Sequence, residues 1–245
     1  MEIFGDNVIG LPQHWRFENY TEALTKSSLI RYFFNSVFYS AVTVLVAGLL
    51  SAMAAYAIAR MYWKKRNTVF TIFTVGIMIP AQAALLPLFQ LLDKMGLKGG
   101  YLGLLIPYIA GAIPMSVMIL TGFYKGIPKE IEEAACIDGC GLWRCFFFII
   151  TPIVKPALAT ASIFTFLGTW NELMLANTFV DKDVYRTLPV GIMSFAGQYS
   201  TDWGLIGAGA AIAIVVEILR IPVLPFAVGM YLPLSLNAGI MAGGL

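Results

Sequence analysis

The residues best placed to do something specific lie between Pro128 and Pro152. Glu130, Glu132 and Glu133 crowd the start of that stretch, Ala134, Ala135, Asp138 and Gly139 follow, and Ile149 and Pro152 close it. Pro128 suits the first position of a helix, where a missing N–H costs nothing. Carboxylates in a first turn are favoured by the helix dipole, and Gly139, with Gly141 behind it, is a natural stop. The stretch predicts a short helix, a tight turn and a second apolar helix over 142–150, ended by Pro152. Ala134 and Ala135 beside Ile131 offer a flat patch that another protein's backbone could approach, flanked by carboxylates for basic groups on the partner. That is recognition chemistry of the helix-in-groove kind.

Catalysis has little to work with. His14 is the single histidine, so neither a histidine triad nor a His-based metal site can be assembled. Cys136, Cys140 and Cys145 have a C-x3-C-x4-C spacing outside the usual zinc patterns and read as small buried or semi-buried thiols. No G-x-x-x-x-G-K-[ST] phosphate loop occurs, so the sequence has no cradle for ATP. Neither cofactor nor metal is expected on this chain. A second candidate group is Trp170, Asn171 and Glu172. An ionisable residue at an apolar span is by default a functional-site hypothesis. An aromatic face with an amide and a carboxylate suits a sugar, while the alternative has Glu172 capping or pairing with a neighbour.

The elements that position these groups are set by hydropathy. Of 245 residues 59% are apolar and 12% charged, against roughly 25% charged in a soluble domain. Runs 102–121, 153–169 and 204–216 carry no charge except Lys155. A bilayer core needs about 20 apolar residues per helix, so the chain reads as an all-α, polytopic membrane bundle. Spans are expected over 29–59, 68–92, 101–123 and 153–175, with a fifth beginning at 204. Arg60, Lys64, Lys65 and Arg66 form a dense basic cluster that marks the cytoplasmic side. This puts residues 1–28 outside as a lead-in and 124–152 in the cytoplasm. Prolines 80, 87, 107, 114 and 156 inside the spans fit a bundle that surrounds a pathway and moves. The net charge of +2, without a basic soluble face, gives no ground for a nucleic-acid partner. The start lacks a basic region followed by an apolar stretch and is not read as a signal peptide.

Glu133-Ala134-Ala135, three residues, Gly139, nine residues, Ile149, two residues, Pro152: this pattern resembles the EAA loop of binding-protein-dependent ABC importer permeases, with Thr151 where leucine is usual. Other segments resemble maltose-type sugar permeases: Trp15 to Tyr20, Asn35-Ser36, Ala55-Tyr56-Ala57 with Arg60, Ile79-Pro80, Pro87 to Phe89, Gly122-Phe123, Ile127-Pro128, Trp170-Asn171-Glu172 and Arg186 to Gly191. The resemblance spans residues 8 to 215. It implies a multi-pass subunit of the cytoplasmic membrane, carrying a sugar or related solute without being an enzyme itself. The implied partners are a dimer of ATP-binding subunits, a second permease subunit forming a heterodimer, and an extracytoplasmic solute-binding protein. Glu133, Ala134, Ala135, Asp138, Gly139, Ile149 and Pro152 would then couple to the ATPase, and Trp170, Asn171 and Glu172 could line the substrate path.

Both ends depart from that pattern. The family has six spans, and Met1 falls just after the place where the first would end, which predicts a missing helix. Residues 217–245, beginning Glu217-Ile-Leu-Arg, resemble instead part of an oligopeptide-transporter family protein. A join of two coding fragments near 216, or a diverged tail, would explain this. The alternative function, a secondary ion-coupled transporter, draws on that segment.

Overall fold

The apolar run after Ser28, charged only at Arg31 and Arg60, folds into one helix, α1, Leu29–Arg60. Its 32 residues extend about 48 Å at 1.5 Å per residue, longer than a hydrocarbon core. The distribution of side chains around it is the reverse of a soluble helix. Phe34 and Leu45 are exposed, while Asn35, Ser36, Ser40, Thr43, Ser51, Ala47, Ala52 and Ala55 are buried. In a bilayer, large apolar side chains gain nothing by leaving lipid, and small or hydroxyl-bearing residues let helices approach closely. α1 therefore turns its small, polar stripe to its neighbours. This is the signature of a polytopic membrane bundle.

The structure, a computed structural model, describes residues 28–194 of the chain. The expectations for the lead-in, His14, Trp15 to Tyr20, the fifth span and the segment 217–245 lie outside the described residues. After α1 come α2 (Arg66–Met78), α3 (Ala81–Lys94), α4 (Tyr101–Lys125), α5 (Glu130–Ile137), α6 (Leu142–Ile153), α7 (Lys155–Trp170), α8 (Met174–Phe179), a 3-10 turn at Asp183–Tyr185, and α9 (Leu188–Met193). No strand occurs among the described residues.

Among the described residues two helices, α1 and α4, are long and apolar enough to cross a membrane, or up to four spans are present if each of two bent pairs counts as one. The bends correct two expectations. Residues 68–92 do not form one straight span: α2 and α3 meet at 102°. Pro80 removes a donor, and its ring drives Ile79 out of the helical region to φ −79°, ψ 114°. The span expected at 153–175 begins at Lys155 and ends at Trp170, with α6 entering it at 79°.

α1 packs along α4 and α7. Near Arg60 the core gathers Tyr56, Leu120, Tyr124, Phe146, Ile150 and Val154. At the opposite end it gathers Tyr39, Leu104, Tyr108, Phe179 and Val190. The first of these clusters supports the short helices α5 and α6, and the second supports the end of α7.

Candidate functional site

α5 starts at Glu130, with Lys129 as its N-cap, so Pro128 lies just before the helix rather than at its first position; Glu130, Glu132 and Glu133 occupy its first turn. Its end is a Schellman turn: Gly139 N–H donates to Cys136 C=O at 3.0 Å, and Cys140 N–H donates to Ala135 C=O at 2.9 Å. Gly139 takes φ +76°, the left-handed region that favours glycine. The accompanying apolar contact is present too, since Cys140 packs against the cluster that holds Ala135.

The hairpin is tied to α1 through Arg60. Its Nε and Nη2 donate to Glu132 Oε2 at 2.9 and 2.8 Å, and its Nη1 donates to the carbonyl of Ile127 at 2.7 Å. The guanidinium is almost fully buried, and the Glu132 side chain is 19% exposed. One side chain thus holds the end of α1, the end of α4 and the start of α5 together. The sequence signalled Arg60 as part of a basic cluster and, with Ala55-Tyr56-Ala57, as part of the family resemblance, but not as the partner of Glu132. Its place at the last turn of an apolar helix was the available clue, because an arginine there needs a partner.

Of the residues expected to form the docking face, Glu133, Ala134, Asp138 and Gly139 are exposed. Ala135 is not: at 5% exposure it packs into the core beside Phe146 and Ile150. The two-alanine patch is corrected accordingly. Adjacent helical residues point about 100° apart, so α5 can present Ala134 only by turning Ala135 inward. Its outer surface is completed by Ile137, which is 87% exposed.

Pro152 does not end the second helix. α6 continues to Ile153, and Cys145–Ile150 is wound as a π-helix just before the proline. A proline ring crowds the carbonyl four residues back, here that of Phe148. The wider π turns open the helix at that point. Ile149 is half-buried against the core, and Pro152 itself is exposed.

A cavity of about 230 Å³ opens between α4 and α7, with Tyr108, Met115, Phe164, Thr165, Thr169 and Glu172 on its wall. Glu172 has two duties. Its Oε1 accepts from Leu175 N–H at 2.8 Å and its Oε2 from Ala176 N–H at 3.0 Å, which caps α8. Oε2 also accepts the Tyr108 hydroxyl at 3.0 Å. Trp170 and Asn171 do not line this cavity. Trp170 is buried, stacked on Phe166 at 5.3 Å and edge-on to Phe33 at 5.9 Å. Asn171 closes α7, its N–H donating to Leu167 C=O at 3.1 Å. Tyr108, Thr165 and Thr169 are members of the wall that sequence reasoning missed, since nothing in an apolar run marks which hydroxyls face one another.

At the far end the Asp183–Gly191 segment is bound to α1. Asn35 Nδ2 donates to the carbonyls of Val184 and Arg186 at 2.7 and 2.9 Å, and Leu188 N–H donates to Ser36 Oγ at 2.8 Å. Tyr32 donates to Asp183. The paired motifs Asn35-Ser36 and Arg186 to Gly191 are therefore two halves of one contact.

Comparison with known proteins bears on what this arrangement serves. The family described as "Binding-protein-dependent transport system inner membrane component" matches residues 44–224, ending inside the segment set apart above at 217–245. The diacetylchitobiose uptake system permease protein NgcG of Streptomyces coelicolor is 37% identical over 214 residues, covering 85% of this chain and 70% of that one. The trehalose transport system permease protein SugB of Mycobacterium tuberculosis is 32% identical over 218 residues, covering 88% and 77%. The crystal structure of a bacterial ABC transporter involved in the import of the acidic polysaccharide alginate shares the fold, with a TM-score of 0.71 at 21% identity, covering 94% of this chain and 78% of that one.

Proposed function

The chain belongs to the family of binding-protein-dependent transport system inner membrane components, and on that premise we propose that it carries a sugar or related solute across the cytoplasmic membrane as the permease subunit of an ABC importer. Relatives named for diacetylchitobiose and trehalose support the solute class. ATP hydrolysis belongs to partner chains, a pair of ATPase subunits. A second permease subunit completes the pathway as a heterodimer, and an extracytoplasmic protein delivers the solute. The basic cluster from Arg60 to Arg66 faces the cytoplasm. A secondary ion-coupled carrier would have no use for the hairpin.

The observation that carries this reading is the α5–Gly139–α6 hairpin, with exposed Glu133, Ala134 and Asp138 on its outside and the Arg60 link behind it. When the ATPase pair closes on nucleotide, a push on α5 reaches α1 through Arg60 and α7 through α6. Coupling requires the ATPase to prefer one permease conformation, since a partner that binds both equally shifts neither.

Burial makes the docking face testable at single-residue resolution. In a Cys136→Ser background, Ala134→Cys is expected to crosslink to the ATPase subunit and Ala135→Cys is not. Absence of any crosslink from position 134 in a correctly inserted, assembled transporter counts against the docking role.

For the substrate path, Trp170→Ala is expected to lower thermal stability by roughly 3 kcal/mol, as loss of a buried aromatic does, with the range of transported sugars unchanged. A shifted range would put Trp170 on the path. Glu172 and Tyr108, on the cavity wall, are the stronger candidates for solute contact.

A further inference from the structure

Three apolar elements end at one level of the bundle. α1 stops at Arg60, α2 starts at Arg66 and α4 stops at Lys125. Arg60 is neutralised by Glu132. Lys64, Lys65, Arg66, Lys125 and Lys129 take part in no ion pair among the described residues. They are not scattered: Arg66 and Lys129 lie 5.3 and 5.1 Å from the centre of the Tyr62 ring, and Lys125 lies 5.1 Å from that of Phe70.

We propose that this basic rim, centred on Tyr62 between Arg66 and Lys129, is a binding site for the phosphate of an anionic phospholipid. Lys129 donates to the Tyr62 hydroxyl, and that bond, with the charges of Lys129 and Arg66, holds the phenol below its ordinary pKa. The rim is therefore an electropositive spot with donors to spare.

Its surroundings favour lipid over a protein partner. Tyr62 is 77% exposed, and Met61 and Trp63 beside it are exposed as well. Trp63 is oriented by donating its indole N–H to the Ala57 carbonyl at 2.9 Å. Aromatic residues at a helix end mark the headgroup level. Below them α2 buries none of its residues within the chain, which leaves an apolar flank for acyl chains directly under the cations. A lipid meets both demands at once, its phosphate at the rim and its tails along α2.

The test uses the transporter purified with its partner subunits, in nanodiscs of phosphatidylcholine with or without phosphatidylglycerol, with retained lipid counted by native mass spectrometry. Each cation near a membrane surface contributes about fivefold in affinity for anionic lipid. Arg66→Gln combined with Lys129→Gln should therefore weaken phosphatidylglycerol retention by about 25-fold. Lys94→Gln combined with Lys182→Gln, at the opposite end, should leave it unchanged. The charge-conserving exchange Arg66→Lys with Lys129→Arg should keep the lipid, and its failure to do so in a normally inserted complex would overturn the proposal. So would undiminished retention in the neutralised variant, displacement of the lipid by inorganic phosphate alone, or loss of the ATPase subunit with the lipid retained.

Discussion

A Gly139→Val protein is expected to reach the membrane in normal amount while ATP hydrolysis by the assembled transporter no longer drives uptake. The reason is conformational. No atom lies within 4 Å of where a Cβ at Gly139 would stand, so the substitution crowds nothing. Its cost comes from φ +76°, where a β-branched residue loses about 1–3 kcal/mol. The turn can avoid that strain only by giving up the hydrogen bonds from Gly139 and Cys140 that close α5, which re-aims Ala134 and Glu133. Gly141→Val is the internal control. Gly141 also has open space around it but sits at φ −70°, ψ 162°, an extended conformation that valine adopts readily. Uptake rates with ATP turnover measured in proteoliposomes decide the matter. Equal coupling in the Gly139 and Gly141 variants would refute the idea that this turn's shape transmits the stroke.

Arg60→Met is expected to be the most destabilising single change at the hairpin. It removes the partner of Glu132 while leaving that carboxylate mostly shielded from water, with Oε1 already lacking a hydrogen bond among the described residues. It also strips the Ile127 carbonyl of its 2.7 Å donor. Breaking a buried ion pair from one side costs about 3–5 kcal/mol, most of it the burden of the stranded charge. Adding Glu132→Gln should then recover a good part of the loss, because the stranded charge is gone. Thermal denaturation of the purified transporter checks both steps. If the two losses simply add, the pair is not coupled. Function separates from stability in the double variant, which should be stable again yet transmit poorly, since nothing then ties α1 to α5.

The two changes probe different links. One alters how the hairpin presents itself to a partner, and the other alters how the hairpin is attached to the bundle. Their effects on coupling should therefore be distinguishable, with the Gly139 variant impaired in docking and the Arg60 variant impaired in passing the motion to α1.

Much of the hairpin was legible in advance. The acidic first turn, the stop at Gly139 and the second apolar helix are all decided by neighbours within four or five residues, where backbone sterics and helix-end hydrogen bonds dominate. The membrane class was legible for a similar reason, because transfer of an apolar run into hydrocarbon is a sum over its own residues. Pro80 and Pro152 show where this reasoning stopped. By sequence, Pro80 lies inside one continuous span and Pro152 ends a helix, and the structure reverses both. Whether a proline breaks a helix, as at Ile79, or is accommodated by π turns, as at Phe148, depends on what packs around it.

Sequence alone thus determined that this chain lives in a bilayer and that a short acidic helix ends in a glycine turn between two of its spans. Tertiary structure alone decided that Ala135 turns inward while Ala134 stays out, that Arg60 reaches Glu132 seventy-two positions away, and that Glu172 rather than Trp170 meets the cavity. The physical reason is common to all three. Inside a membrane the apolar effect does not distinguish one apolar face from another, so the choice of face falls to close packing and to the few polar groups that must find each other across helices.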